Sequence, residues 1–514
     1  MSGPSREALG RETPPEGQWL SAAEALALAE SHRQAGRLAA AEDLCRRVLQ
    51  AQPAHGATLN LLGVVVYQRG DAAAGIDLVR QAIEVNGGVP LYHSNLCEMC
   101  RVSGRLDEAV AAGRRAVELQ PNYARAWNNL GIAYYDRDEL DAAEECYRHA
   151  VELVPDFAEA YSNLANARLA RADTAEALAL YRRAVLLKPD YVDAHNNLAM
   201  TLLLTGDFTA GWRELEWRRQ RPSVSGRGYA GPRWQGESFA GKTLLVHAEE
   251  GHGDAIHFMR YLPEVAKRGG SVVLAVHRGL ARLAGRIAGV SAVIQLDAPA
   301  PPFDLQCPLM SVPLVLGTTL ESVPAEVPYL SVDDAVVDRW RLRLRAAAGL
   351  KVGLVWSGAL KYVNNRRRAI PAERLAPLLE LEGVSWFSLQ VGKSAADLAH
   401  LPAGKVTDLS SELTDYAETA GAILGLDLVI STDTSVPHLA GALARPVWLL
   451  LAFMPDWRWL LGRETTPWYP RTRLFRQPGR EEWDRVVQRV AEELRAVVGG
   501  DRARLLPAGD KAAA

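Results

Sequence analysis

Leucine recurs at positions 28, 62, 96, 130, 164 and 198, and proline at 121, 155 and 189, each time with a step of 34 residues. A period of this length constrains the fold more than any other feature of the chain. It corresponds to one helix–turn–helix unit, too small to bury its own apolar face, so successive units must stack into a solenoid. Ala109, Ala143 and Ala177 are small where the two helices of a unit cross, and Ala82, Ala116, Ala150 and Ala184 are small later in the second helix. The prolines fall where the second helix must stop, because proline cannot continue a helix. The spacing predicts units starting near Ala22, Gly56, Pro90, Ala124, Ala158 and Val192. The sixth departs from the pattern at "FTAGWRELEWRR" (208–219), as suits a terminal repeat that packs onto something else.

The period and the text "AWNNLGIAYYDRDELDAAEECYRHAVELVP" identify residues 21–220 as an array of tetratricopeptide (TPR) repeats. Such an array is either a spacer or a concave groove for a protein or peptide. Asn128, Asn129, Asn163, Asn196 and Asn197 recur on the first helices, and carboxamides can clamp a peptide backbone with paired donors and acceptors. They are the candidate peptide contacts.

The net charge of -3 over 514 residues does not suggest the basic face of a nucleic-acid binder, so nucleic acid is not an expected partner, although it leaves room for a local basic site. Five cysteines form no disulfide framework, which predicts a reducing, cytoplasmic location. Cys97 and Cys100 have C-x-x-C spacing, but Cys97 sits beside the apolar Leu96 and no second pair completes a zinc site. No apolar run is long enough for a transmembrane segment. Residues 1–20 and 501–514 read as disordered tails.

Residues 221–241 are rich in Gly, Pro, Ser and Arg and read as a linker or docking strap. Beyond them, short apolar strands alternate with helical stretches: 243–248, 271–277, 292–296, 351–356, 384–390, 426–432 and 446–451. That alternation predicts parallel α/β structure. A helix from Asp333 to Ala348 separates two sets, so two Rossmann-like halves are expected, at 242–345 and 346–500.

Gly236 to Thr243 spells G-x-x-x-x-G-K-T, yet it runs into a strand, whereas a phosphate-binding loop must open a helix. Gly251-His252-Gly253-Asp254 has the opposite context, a strand before and a helix after, and it leaves Asp254 at the helix start. It lacks the third glycine and the acidic residue of a dinucleotide site. Asp433-Thr434-Ser435-Val436-Pro437-His438 also links a strand to a helix. Hydroxyls and free amides at a helix N-terminus suit phosphate. Asp433 as a simple helix cap and His438 as a packed histidine are the alternatives.

At these residues the region from Gly241 to Val498 resembles the heptosyltransferase type of glycosyltransferase (family 9), with a GT-B fold. The TPR array in front resembles the layout of O-linked N-acetylglucosamine transferases. The most specific piece is D-T-x-x-x-H-L-A, present as Asp433 to Ala440. The resemblance implies that Asp254, in a Gly-Asp loop, is the catalytic base, and that Arg368, three before Pro371, contacts phosphate. Gln390 stands where the family has an acidic ribose contact.

With His438 as a second catalytic residue, the donor diphosphate is expected near Ser357, Arg368, Asp433, Thr434 and Ser435. His252, His257, Gln390 and Trp457 are possible substrate contacts, and packing is an alternative for each histidine and for Trp457. Asn364 to Arg367 form a polar loop that either closes over substrate or is solvated. The expected function is transfer of a sugar from a nucleotide-diphosphate sugar to a hydroxyl on a protein or peptide. No cofactor or obligatory metal is implied: Asp136-Arg137-Asp138 lies in a repeat turn, and Asp333-Asp334 at a helix start. The alternative is a TPR adaptor carrying a degenerate transferase domain.

Overall fold

Paired helices begin just after Ser21, whose hydroxyl caps the first of them. They are α1 (Ala22–Gln34), α2 (Leu38–Ala51), α3 (Gly56–Gln68), α4 (Ala72–Val85), α5 (Pro90–Val102), α6 (Leu106–Leu119), α7 (Ala124–Asp136), α8 (Leu140–Leu153), α9 (Ala158–Ala170) and α10 (Thr174–Leu187). Every hairpin starts at the residue its 34-residue spacing predicts. The structure, a computed structural model, describes residues 20–221, 229–359 and 365–508, in two compact units divided between Lys188 and Pro189. The predicted N-terminal tail up to residue 19, residues 222–228 of the predicted linker, and Asn364 of the polar loop lie outside the described residues.

In the first unit the small residues do what their spacing predicts. Ala82, Ala109, Ala116, Ala143, Ala150, Ala177 and Ala184 are fully buried. A Cβ on Gly63 would stand 2.8 Å from the Gly75 carbonyl oxygen, so the α3–α4 crossing admits no side chain there. The turn inside each hairpin needs one left-handed residue. Gly36, Gly70 and Gly104 supply it, but Asp138 (φ 67°) and Ala172 (φ 65°) adopt it with a Cβ, at a cost of about 1–2 kcal/mol each. Cys97 and Cys100 are enclosed in α5, and burial pushes the Cys97 thiol up to about 12.

The second unit opens with the sixth hairpin, α11 (Val192–Leu204) and α12 (Phe208–Leu215). Here the cause of the sequence drift is visible. α12 lasts eight residues and tightens into a 3-10 turn, Glu216–Gln220. Its apolar face presents Phe208 and Trp212 to Trp457, Trp468 and Phe258, and the Trp212 indole donates to the Thr318 carbonyl at 2.9 Å. Arg218, fully buried, pairs with Glu249 at 2.7 Å and Glu216 at 2.9 Å.

Two parallel sheets follow. The first has the order β3 (Ala292–Gln295), β2 (Ser271–Val276), β1 (Thr243–His247), β4 (Leu305–Pro308). The second has the order β10 (Thr472–Arg476), β9 (Val447–Leu451), β8 (Leu428–Thr432), β5 (Leu350–Val355), β6 (Val384–Ser388), β7 (Val406–Asp408). In both, the early strand lies inside and later ones add on either side. The helices that matter for the site are α13 (His252–Phe258), α14 (Asp334–Leu344), α15 (Tyr416–Leu424), α16 (Ser435–Ala442) and α17 (Trp483–Val498).

Of the two readings of 221–241, the described part fits the docking strap: Trp234 is fully buried, and its amide donates to the Gln306 carbonyl beside β4 at 3.0 Å. Residues 501–508 are not a free tail. They form a 3-10 turn at Arg502–Leu505, and the Trp448 indole donates to the Leu505 carbonyl at 3.2 Å. Among the described residues no helix is long and apolar enough to cross a membrane.

Candidate active site

The site is built from two strand-to-helix turns, one from each sheet. β1 runs through residues 248–251 into α13, and β8 runs through Asp433 and Thr434 into α16. Gly253 is small because the helices meet there: a Cβ on it would stand 3.4 Å from Ser435 Cα and 3.3 Å from the His438 ring. The Gly236–Thr243 motif, in contrast, leads directly into β1, and no phosphate-binding loop forms.

Asp254 sits in the first turn of α13, with a partly exposed side chain. The Gly251 amide donates to its Oδ2 at 3.1 Å, and Arg458 Nη2 lies 2.5 Å from its Oδ1. Arg458 reaches across from the segment after β9. It also holds Asp456 at 2.9 Å, and its guanidinium lies 4.4 Å over the Trp457 ring. Burial opposes the charge on Arg458, and Asp456 and Asp254 outweigh it, holding its proton tighter than usual.

Asp433 is nearly buried and is not the helix cap. Thr434 takes that role, its hydroxyl accepting from the Val436 amide at 3.3 Å. Burial raises the Asp433 carboxyl to about 7; the Asp456 charge adds to this, and Arg368 and Arg458 oppose it. Its Oδ1 faces His438 Nε2 at 4.0 Å. Ser435 accepts a bond from the Tyr416 hydroxyl at 2.8 Å. Arg368 keeps its buried Nε without a partner.

His438 and His257 share one hydroxyl. The His438 Nδ1 is 3.0 Å and the His257 Nδ1 3.2 Å from Tyr469 Oη. Arg260 lies 4.4 Å over the Tyr469 ring. Burial drives both imidazoles far below the usual histidine range, and the charges of Arg260 and Arg458 push the same way. His438 also stacks on Trp459, with ring centroids 5.2 Å apart.

Several predicted contacts are committed to partners within the protein. His257 is fully buried, 4.4 Å from the Trp468 ring centroid. Trp457 is enclosed by Phe208, Trp212, Phe258 and Trp468, so it packs the core. Gln390 is committed to its own loop: its Oε1 accepts from the Trp356 and Ser357 amides, and its Nε2 donates to the Ser357 and Val391 carbonyls. Ser357 Oγ donates to the Gly358 carbonyl and accepts from Asn365 and Ser394. His252, in contrast, lies beside the two turns, stacked on Tyr416 at 5.1 Å and 4.6 Å from His277. Glu250, beside it, has its carboxyl raised by burial and then by the Asp254 charge.

In the first unit, Asn163 Nδ2 donates to Asn128 Oδ1 at 2.9 Å, and Asn129 Nδ2 to Ser94 Oγ at 3.1 Å. The same step joins Asn95 to Asn60 at 3.0 Å. Of the predicted groove amides, Asn163 thus bonds to Asn128 and Asn129 bonds to Ser94; Asn128 is buried, while Asn129 and Asn163 are partly buried. Asn196 and Asn197 lie on α11 in the second unit.

Sequence reasoning passed over Arg458, Asp456, Tyr469 and Arg260. The text "PDWRW" carried a signal, a cation set between two tryptophans and two residues after an acid.

Residues 26–90, 124–157 and 162–211 match tetratricopeptide repeat families, and 98–137 matches a TPR repeat family. These helical hairpins are tetratricopeptide repeats. The chain is 30% identical over 326 residues to protein FlbA of Caulobacter vibrioides, an alignment covering 57% of this chain and 53% of FlbA. It thus spans about half the length of that relative. It is 39% identical over 72 residues to the TPR repeat-containing thioredoxin TTL4 of Arabidopsis thaliana, covering 14% and 11% of the two chains. Among solved structures, a thermophilic TPR protein of Thermus thermophilus is 25% identical, covering 36% of this chain and all of that one, with a TM-score of 0.33. The TPR repeats are a protein-interaction scaffold; the parallel sheets lie beyond the matched repeats.

Proposed function

We propose that the second unit is a GT-B-type glycosyltransferase that moves a sugar from a nucleotide-diphosphate donor to a hydroxyl of a protein bound by the TPR repeats. The observation that carries this reading is the meeting of two helix starts, one bearing Asp254 and the other following Asp433 and Thr434, so close that a Cβ on Gly253 would stand 3.4 Å from Ser435 Cα. The acceptor oxygen attacks the anomeric carbon, and the bond from that carbon to the diphosphate oxygen breaks. Asp254 takes the hydroxyl proton, and the electron pair leaves with the diphosphate. Aligned amides at α16 and the guanidinium of Arg368 stabilise the charge that builds there. His438 packs beside Asp433, its Nε2 4.0 Å from Oδ1, at the base of the donor site.

Calorimetric titration against uridine, guanosine, cytidine and adenosine diphosphates tests the reading. Selective binding of one supports it, and binding of none overturns it. A second reading, a TPR adaptor with a degenerate transferase domain, draws on the commitment of Ser357 and Gln390 to their own loop and of Asp254 to Arg458. It predicts no binding of any of the four.

A further inference from the structure

Arg458 is a buried cation with one replaceable partner. Its side chain is 6% exposed, while those of Asp254 and Asp456 are 30% and 32% exposed. Asp456 is tied locally, since its Oδ1 also accepts from the Arg458 amide at 3.1 Å. Asp254 comes from the other sheet, and its Oδ2 keeps the Gly251 amide whatever happens at Oδ1. The Nε of Arg458 is buried without a partner, as is the Nε of Arg368. A buried guanidinium that is paired with carboxylates is costly to leave uncompensated, whereas a part-exposed carboxylate can be released to water. Asp254, Asp456 and Asp433 all act electrostatically on Arg458, and Arg368 acts on Asp433. The partner easiest to replace is therefore Asp254.

We propose that Arg458 is a diphosphate ligand held in reserve by Asp254, and that an arriving diphosphate takes the guanidinium and frees the Asp254 carboxylate as base. This rests on the reading of the site as a donor-diphosphate site. It couples the two events: the base is withheld while the site is empty and released when the anion is bound. An arginine suits the exchange because its planar fork matches phosphate oxygens as well as carboxylate oxygens.

The test is a double-mutant cycle on the full chain, with inorganic pyrophosphate as the probe and calorimetry as the readout. Asp254→Asn removes the competing carboxylate, so pyrophosphate should bind at least about fivefold tighter than to the unaltered protein. Arg458→Gln should weaken binding at least about tenfold. In the Arg458→Gln background, Asp254→Asn should give no gain, because no guanidinium is left to release. If Arg458→Gln loses cooperative melting, Arg458→Lys takes its place, and the gain from Asp254→Asn should fall below half. Pyrophosphate binding that Asp254→Asn leaves unchanged overturns the exchange and leaves the diphosphate site standing. An equal gain in both backgrounds also overturns it, since plain charge repulsion would do the same. Failure of pyrophosphate to bind any of these proteins overturns the site and the exchange together.

Discussion

Asp254 and Arg458 are 204 positions apart in sequence, yet their side chains join the two parallel sheets at 2.5 Å. The pair fixes the candidate base in place and defines what its loss should do. On the proposed reading, Asp254→Ala leaves the acceptor hydroxyl no group to take its proton, so turnover should fall by about 10²–10⁴-fold. On the same reading the nucleoside diphosphate should still bind, through Thr434, Ser435 and Arg368. A radiolabelled sugar-transfer assay run beside calorimetry checks both halves. Unchanged turnover would remove Asp254 from the reaction.

His257 and His438 make the fold sensitive to acid. In the folded protein both resist protonation far below the usual histidine range, while in the unfolded chain they take up protons below about 6.5. The unfolded state then binds more protons, so their contribution falls as pH drops below about 6.5. Asp433, raised to about 7, works the other way: the folded state binds the extra proton, and stability from this group is lost as pH rises from about 4 to 7. Replacing one histidine isolates its share. His438→Gln keeps an amide near Tyr469 and should lower the slope of unfolding free energy against pH by about 1.4 kcal/mol per unit between pH 5 and 6. Urea unfolding at several pH values, followed by tryptophan fluorescence, measures it.

The left-handed turn residues give a test of the repeat array alone. Ala172 occupies the position filled by glycine in the first three hairpins and carries the penalty of a Cβ there. Ala172→Gly should stabilise the first unit by about 1 kcal/mol, and Gly104→Ala should destabilise it by a similar amount. Urea unfolding followed by helical circular dichroism would show the two midpoints moving apart. Equal midpoints would mean that the strain is relieved elsewhere.

How much of this was readable in the sequence depends on whether the pattern repeats. The hairpins were legible to the residue because each of them faces the same packing problem and solves it with the same small side chains. The strands β1, β2, β3, β5, β6, β8 and β9 were legible as apolar runs. β4 was not, since it is four residues with Gln306 and Pro308 inside it, nor was β7, a three-residue edge strand. β10 hid because Arg473 and Arg476 flank its apolar residues. At the site, the two turns were legible because each carries a local motif. The partner of Asp254 was not, because nothing local ties residue 254 to residue 458. His257 and Trp457 read equally well as ligand contacts or core, and only the aromatic cluster around Phe208 and Trp212 decides for core. Gln390 reads as a strand end, but β6 stops at Ser388, and the two-sided grip of Gln390 on Ser357 depends on a loop folding back from another strand.

The sixth hairpin decides where the protein can be cut. A cut after Gly206 would remove α11 and leave α12 carrying an unpaired apolar face. A cut before Pro189 keeps both helices, and with them His195, whose ring stacks on Trp217 at 3.9 Å and meets Glu214 at 2.5 Å. The fragment 189–514 should therefore melt cooperatively, and a fragment starting at Asp207 should not. Trp212→Ala in the full chain should cost about 3–5 kcal/mol, because a fully buried indole leaves a cavity among aromatic rings. The shorter cut also gives the clean test of the acceptor reading. If the TPR repeats deliver the acceptor, 189–514 should keep its affinity for the nucleoside diphosphate and lose transfer to a protein substrate. Transfer to a free peptide that survives the cut at full rate would mean that the first five repeats dock a partner other than the substrate.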